Sequence, residues 1–324
     1  MTAESSPDSS PESRAESSPA DSTTPARPVL LGQTQYGKAE TRVVRVVRDG
    51  ATHHLKDLNV SVALSGDMDE VHLSGSNANV LPTDTAKNTV FAFAKQYGVE
   101  SAEQFGIHLA RHFVTSQDAI HRARIRIEEY GWERIPTAGD SAHSFVRTGQ
   151  ETRTTEVAFD GTRWQVVSGL KDLVVMNTTD SEFWGFVRDE YTTLKEAYDR
   201  ILATEVTARW RFGWSADEQP APAWEESYEQ VRGQLLGAFA DTYSLSLQQT
   251  LYAMGSRVIE QRAEIAEVRL SLPNKHHFLV DLEPFGLKND EAEGEVYFAA
   301  DRPYGLIEGT VLRAGAEARI PVTD

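Results

Sequence analysis

Residues 265–280 read IAEVRLSLPNKHHFLV, and their alternating pattern decides how this part of the chain folds. The side chains at positions 268, 270 and 272 are apolar, which is typical of a strand with one buried face. If the register continues past the proline, Asn274 and His276 share that face. A buried amide and a buried imidazole both need hydrogen-bond partners. The pair therefore predicts either a polar site on the sheet or a core histidine satisfied by a neighbour.

The composition is that of a globular protein without disulfides. The 324 residues are 40% hydrophobic and 25% charged, and none is cysteine, so thiolate catalysis and zinc–cysteine sites are excluded. The formal net charge of −17 argues against nucleic acid as a partner, because such a surface repels phosphate backbones. No apolar run approaches the ~18 residues of a membrane helix, so no membrane partner is expected.

Neither end of the given sequence carries a targeting signal that we recognise. The start, MTAESSPDSS, lacks the basic and apolar parts of a signal peptide, and the end, IPVTD, is not the peroxisomal signal. We therefore expect a cytoplasmic protein. Residues 1–28 are rich in Ser, Pro, Glu and Asp and contain no Leu, Ile, Val or aromatic side chain, which predicts a disordered tail.

The order of predicted elements indicates a tandem repeat. A hairpin around Asp49-Gly50 is followed by two helices, the first with Thr83 and Asp84 as N-cap residues, and then by two strands, the second in HSFVRTG. A second hairpin around Asp160-Gly161, two helices and two strands follow. We predict one unit at residues 29–150, a second at 151–313 and a C-terminal tail at 314–324.

The second unit carries an insert between its hairpin and its helices. This insert, FWGFVRDEYTTLKEAYDRIL at residues 183–202, is followed by TEVTARWRFGW. As one helix, residues 183 and 200 would lie ~25 Å apart. The capping-box pattern from Thr193 to Glu196 predicts instead that a new helix begins at Thr193. The segment can then fold back and bring Phe183 near Arg200.

Motifs for nucleotides and metals are absent from the sequence. There is no GxGxxG, no Walker A motif and no GxSxG elbow. His108 and His112 have the spacing of a zinc-protease helix, but Leu109 stands where the catalytic Glu belongs, so two histidines on one helix face are the simpler interpretation. We expect no metal and no cofactor, and acid–base chemistry on a substrate that is itself reactive.

Five segments, in order, carry a family resemblance: YGK at 36–38, PTDTAKNT at 82–89, the insert at 183–202, SLQQTLY at 246–252 and SLPNKHHF at 271–278. Over residues 36–311 the chain resembles the urate oxidase (uricase) family. The resemblance implies the tunnelling fold, an α+β class with two tandem ββααββ units. Their antiparallel sheets close into a barrel on oligomerisation, with helices outside. It further implies a homotetramer with active sites at subunit interfaces and no metal or organic cofactor.

The resemblance also implies a reaction and a set of site residues. The reaction, in purine catabolism, converts urate, O2 and water to 5-hydroxyisourate and hydrogen peroxide. The implied catalytic residues are Lys38 and Thr83 from one subunit and His276 from the other. The implied substrate-binding residues are Thr83, Asp84, Phe183, Arg200, Leu247, Gln248 and Asn274, with Asp84 and Leu247 acting through their backbone amides.

The residue types suit a planar, electron-rich anion. An Arg fork and a Gln amide can grip its edge, and an aromatic ring can stack on its face. Two alternatives belong to other classes. One is a non-catalytic purine-binding relative, against which the complete catalytic set argues. The other is a tunnelling-fold enzyme for pterins, which would anchor the heterocycle with Glu where this chain has Arg200 and Gln248.

Overall fold

Segments with alternating apolar residues form strands, and segments with helical periodicity form helices. The computed structural model describes residues 29–136, 139, 142–290 and 294–322. The strands are β1 (Tyr36–Asp49), β2 (Thr52–Gly66), β3 (Ile120–Tyr130), β4 (Trp132–Arg134), β5 (Phe145–Arg147), β6 (Thr152–Phe159), β7 (Trp164–Asn177), β8 (Leu202–Phe212), β9 (Ile265–Leu279) and β10 (Tyr297–Leu312). The helices are α1 (Asp69–Leu73), α2 (Thr83–Gln96), α3 (Ala102–Thr115), α4 (Trp224–Asp241) and α5 (Leu247–Gln261), with a 3-10 turn at Glu283–Phe285.

The N-terminal residues are described only from Val29 onward. Residues 29–33 are exposed and have no regular secondary structure. The predicted disordered tail at residues 1–28 lies outside the described part of the chain. Among the described helices, none combines the length and the apolar composition needed to span a membrane.

Eight strands form one antiparallel sheet in the order β1-β2-β3-β6-β7-β8-β9-β10. Both predicted hairpins are present, and their turn glycines adopt positive φ, 56° at Gly50 and 87° at Gly161. Helices α2, α3 and α5 contact the sheet, and α4 packs on α5. The buried side of the sheet carries aliphatic residues that are wholly inaccessible, such as Leu58, Val206 and Leu270. Burying each such side chain contributes about 1.5–3 kcal/mol.

The predicted repeat is visible in the element order. The sequence β1, β2, α2, α3, β3, β6 is strand–strand–helix–helix–strand–strand, and β7, β8, α4, α5, β9, β10 repeats it. The α+β class with antiparallel sheets is therefore confirmed. The division at residues 150 and 151 remains a prediction, and the strand order favours a later one, between Phe159 and Trp164.

The fourth strand of the first unit was predicted in the wrong place. The HSFVRTG strand is β5, which pairs only with β4 in a separate ribbon. Its Val146 is 50% exposed, whereas β6 buries Val157 and Phe159. Strand β6 rather than β5 therefore pairs in the main sheet, because β6 has the longer apolar face to pack against the helices.

The predicted helices in the insert were also wrong. Residues 183–200 contain no helix, and Gly185 has φ of 70°, which no helix interior accommodates. Val187 is 94% exposed and Tyr191 81% exposed, so a helix here would have no apolar face to bury. The segment TEVTARWRFGW, predicted to follow the insert, contributes most of β8, which pairs with β7 and β9 inside the main sheet.

Strand β9 runs through Pro273 without losing register, which meets the condition for Asn274 and His276 to share a face. Pro273 lies opposite Leu306 of β10, and Leu272 lies opposite Ile307. The following C-terminal segment returns to the same strand: the wholly buried carboxylate of Glu267 accepts hydrogen bonds from the backbone amides of Arg319 and Ile320. Residues 319 and 320 are thus fixed to β9.

Candidate active site

The polar pair on β9 lies where the buried part of the strand ends. Leu272 is wholly buried, Asn274 and His276 are half-buried, and Phe278 is 52% exposed. Asn274 is flanked by Thr204 of β8 and Gly305 of β10. The pairing of β9 with β10 is interrupted here, because residues 301–304 of β10 lie opposite the single residue between Asn274 and His276. The strand therefore presents an amide and an imidazole beside a break in pairing.

The imidazole of His276 favours its neutral form. Burial lowers the pKa of His276, and the positive charge of Arg200 lowers it further, with a contribution from His277. Its ring also stacks on Phe278 at 5.9 Å between centroids. A neutral imidazole can both accept and donate a proton, which suits a proton relay.

Arg200 and Phe183 lie together, as the predicted fold-back requires. The guanidinium carbon of Arg200 is 5.2 Å from the centre of the Phe183 ring, and its Nε donates to Ser181 Oγ at 3.2 Å. Burial lowers the pKa of Arg200, and within the described residues no carboxylate forms an ion pair with it. This cation therefore has an aromatic neighbour but no counter-ion among the residues that the structure describes.

Backbone pairing rather than helix packing holds the fold-back in place. Phe183 and Ala197 exchange both backbone hydrogen bonds, at 2.7 and 3.0 Å. Ser181 forms a bridge with Ser244, whose carbonyl accepts from the amide of Glu182 at 2.7 Å. The segment carrying Phe183 is thereby joined to the residues just before α5.

The start of α5 holds the next two predicted residues. Ser246 is the N-cap, and its hydroxyl accepts from the amide of Gln249 at 3.2 Å. Leu247 is buried at 2% exposure, whereas Gln248 is exposed. Both residues are in the first turn, where backbone N–H groups have no helical acceptor and favour negative charge. The Leu247 amide can therefore serve an anion even though its side chain belongs to the core.

Lys38, Thr83 and Asp84 form a second group at the start of β1 and α2. The Tyr36 hydroxyl accepts from the amide of Leu81 at 2.9 Å, which ties the start of β1 to the loop before α2. Pro82, rather than Thr83 or Asp84, is the N-cap, so both residues belong to the helix. The lysine charge of Lys38 contributes to the lowered pKa of Asp84, after the larger effect of Lys87.

The structure therefore collects the predicted residues into two half-sites. The first half-site lies along the fold-back, α5 and β9 and contains Phe183, Arg200, Leu247, Gln248, Asn274 and His276. The second lies at the starts of β1 and α2 and contains Lys38, Thr83 and Asp84. In the described parts of the chain, no hydrogen bond, ion pair or ring contact joins the two half-sites. In the sheet order β1 is one edge and β9 is next to the other edge. Two neighbours of the predicted residues, Ser181 and Tyr36, were missed, because a lone serine and a lone tyrosine carry no motif.

Comparisons with known proteins agree with the earlier resemblance. The family model described as Uricase matches residues 34–158 and 166–308. The uricase of Arthrobacter globiformis is 49% identical over 91% of this chain and 93% of its own length. That of Emericella nidulans is 39% identical over 87% of this chain and 97% of its own. The crystal structure of uricase from Arthrobacter globiformis superposes with a TM-score of 0.84 over 91% of this chain and 98% of that one. The chain belongs to the uricase family.

Proposed function

We propose that this urate oxidase carries out its reaction at a site completed by two subunits. The reaction takes urate, O2 and water to 5-hydroxyisourate and hydrogen peroxide. The observation that carries the proposal is the half-buried Arg200 guanidinium, which lies against the Phe183 ring and has no ion-paired carboxylate in the part of the chain that the structure describes. Urate is a planar anion, so it supplies the missing negative charge and a ring that can stack.

Binding uses both the edge and the face of urate. Arg200 and Gln248 donate hydrogen bonds to one edge, and Phe183 stacks on the ring. The backbone amides of Leu247 and Asp84, each in the first turn of a helix, contact the periphery of the anion. Asn274 holds O2 or water above the ring.

Proton transfer uses the remaining residues. His276, whose lowered pKa keeps it neutral, exchanges protons with urate through the Thr83 hydroxyl, and Lys38 is the acceptor at the end of the relay. The urate dianion gives an electron to O2 and recombines to a C5 hydroperoxide. Water then replaces peroxide at C5, which accounts for every atom of the products.

The arrangement of half-sites supports a site shared by two subunits, and the homotetramer stays a prediction. Strands β1 and β10 are sheet edges, and both carry exposed apolar side chains, including Val44 at 60% and Phe298 at 63%. Unpaired edges are commonly covered by another strand. A second copy that pairs edge to edge would close a barrel and bring Lys38 of one subunit towards His276 of the other. The cytoplasmic location stays a prediction.

A metal-free assay tests the reaction. Purified protein treated with a chelator should bleach the ultraviolet band of urate, consume O2 and release hydrogen peroxide in equal amounts. Anaerobic urate binding without oxygen uptake in air would contradict the proposal and favour the purine-binding alternative.

A further inference from the structure

One face of the sheet carries a row of arginines. Arg122, Arg124 and Arg126 alternate along β3 with the buried residues that contact the helices, so they project from the opposite face. Glu156 of β6 pairs with Arg126 at 2.8 Å and lies 4.0 Å from Arg209 of β8. The Glu156 carboxylate thus lies close to two arginines on this side of the sheet.

Arg124 is half-buried, whereas Arg122 and Arg126 are exposed. It donates one hydrogen bond, from Nη2 to Gln35 Oε1 at 3.2 Å. Its Nε is buried and has no hydrogen-bond partner among the described residues. Burial lowers the pKa of Arg124, and the charges of Arg126, Arg122 and Arg209 lower it further, against an opposing effect of Glu156. A desolvated cation with an unused donor is costly unless something pairs with it.

A small cavity lies beside this guanidinium. It has a volume of about 60 Å³ and is lined by Gln35, Ala63, Ser65, Arg122 and Arg124. About 10–15 Å³ of such volume already holds a water molecule, so the space suits an ion of a few atoms. Its polar lining consists of two guanidinium groups, a hydroxyl and an amide whose oxygen already accepts from Arg124. No carboxylate is among the lining residues.

We propose that this cavity binds a small inorganic anion, held by Arg122 and Arg124 with Ser65 and the Gln35 amide as further donors. The cavity and Lys38 lie on opposite faces of the sheet. Lys38 pairs with the buried Val62, whereas Ala63, the next residue, lines the cavity. The proposal does not depend on the urate site, and its occupant stabilises the folded chain by offsetting the repulsion among the β3 arginines.

Titration calorimetry with inorganic phosphate, and separately with chloride, tests the proposal on the full-length protein in a buffer that contains neither ion. We expect saturable binding of at least one of the two anions, about tenfold or more weaker after Arg124→Gln, since a charge-assisted bond is lost. Arg122→Gln, which alters an exposed side chain, should weaken it as well and serves if Arg124→Gln folds poorly. Arg48→Gln, at an exposed strand position outside the cavity, is the charge-matched control and should bind normally.

Phosphate could also enter the urate site, so the titration is repeated with Arg200→Ala. Unchanged affinity in that variant supports the cavity as the site. Loss of binding in Arg200→Ala, equal affinity in the Arg124 and Arg48 variants, or no saturable binding of either anion would overturn the proposal. Failure of urate turnover would leave these outcomes unaffected, so the two proposals fail independently.

Discussion

At the residue scale, the candidate site depends on side chains that support the ones proposed to bind urate. Ser181 is wholly buried and accepts from Arg200 Nε, which occupies that donor and leaves the two terminal nitrogens for a ligand. Ser181 forms a backbone bridge with Ser244, and the hydroxyl of Ser244 accepts a hydrogen bond from the Thr250 hydroxyl at 2.8 Å. Ser181 therefore helps to set the direction of the guanidinium fork that we propose binds urate.

Replacing Ser181 by alanine should raise the KM for urate by about tenfold with a smaller change in kcat, because Arg200 loses a hydrogen bond of about 1.5–3 kcal/mol that orients it. Steady-state kinetics measure the two effects separately. Thr178→Ala removes an exposed hydroxyl from the same segment and should leave both constants unchanged. An unaltered KM in Ser181→Ala would show that the guanidinium needs no such support.

His276 gives stability a pH dependence of known sign. Because burial and Arg200 disfavour the imidazolium, the folded chain binds fewer protons at His276 than the unfolded chain does. The free energy of unfolding should therefore fall as pH drops below about 6.5, the ordinary imidazole value. Denaturant titrations between pH 7.5 and 5.5 should show a smaller loss for His276→Gln than for wild type. His54→Gln, at an exposed position, is the control and should follow the wild type; equal slopes for the His276 variant would refute the prediction.

At the scale of the elements, strands were easier to predict than the insert. The alternation in β9 and the Asp-Gly turns are local signals, and they predicted β9 and both hairpins correctly. The capping-box pattern at Thr193 is equally local, but no buried face supports a helix there. Residues far apart in sequence, such as Ser181 and Ser244, fix that segment by backbone pairing instead. Gly185 within the predicted helix was the one available warning.

The start of β1 tolerates no side chain at Gly37. A Cβ there would lie 1.9 Å from the carbonyl oxygen of Val62, a backbone atom that cannot rotate away. Gly37→Ala should therefore destabilise the protein by about 3 kcal/mol or more and displace Lys38, lowering turnover. Urea unfolding and urate turnover test both effects. Gly32→Ala, whose Cβ meets nothing within 4 Å, should change neither, and wild-type stability in Gly37→Ala would contradict the close approach.

At the scale of the whole molecule, the sequence named candidate site residues but could not bring them together. Family motifs indicated positions for Lys38 and His276, whereas spacing along one chain cannot show whether they meet across a subunit boundary, as we propose. The single-chain sheet has β1 at one edge and β9 beside the other. The proposed site thus makes catalysis a property of the assembly.

Hybrid oligomers provide the test. Lys38→Ala and His276→Ala should each abolish most turnover, yet coexpression of the two chains should restore about a quarter of wild-type activity, since a hybrid dimer contains one intact site and half the pairings are hybrid. Mixing two preparations of Lys38→Ala alone is the control and should restore nothing. If the coexpressed pair stays inactive, both residues serve the same subunit's site.

The anchoring of residues 319 and 320 on β9 has a consequence for folding. Glu267 is buried, and the backbone amides of those two residues donate to its carboxylate. Until they dock, the carboxylate lacks these donors and keeps the Arg211 guanidinium, whose Nε donates at 2.8 Å. The completion of β9 is therefore linked to a segment that begins 52 residues further along the chain.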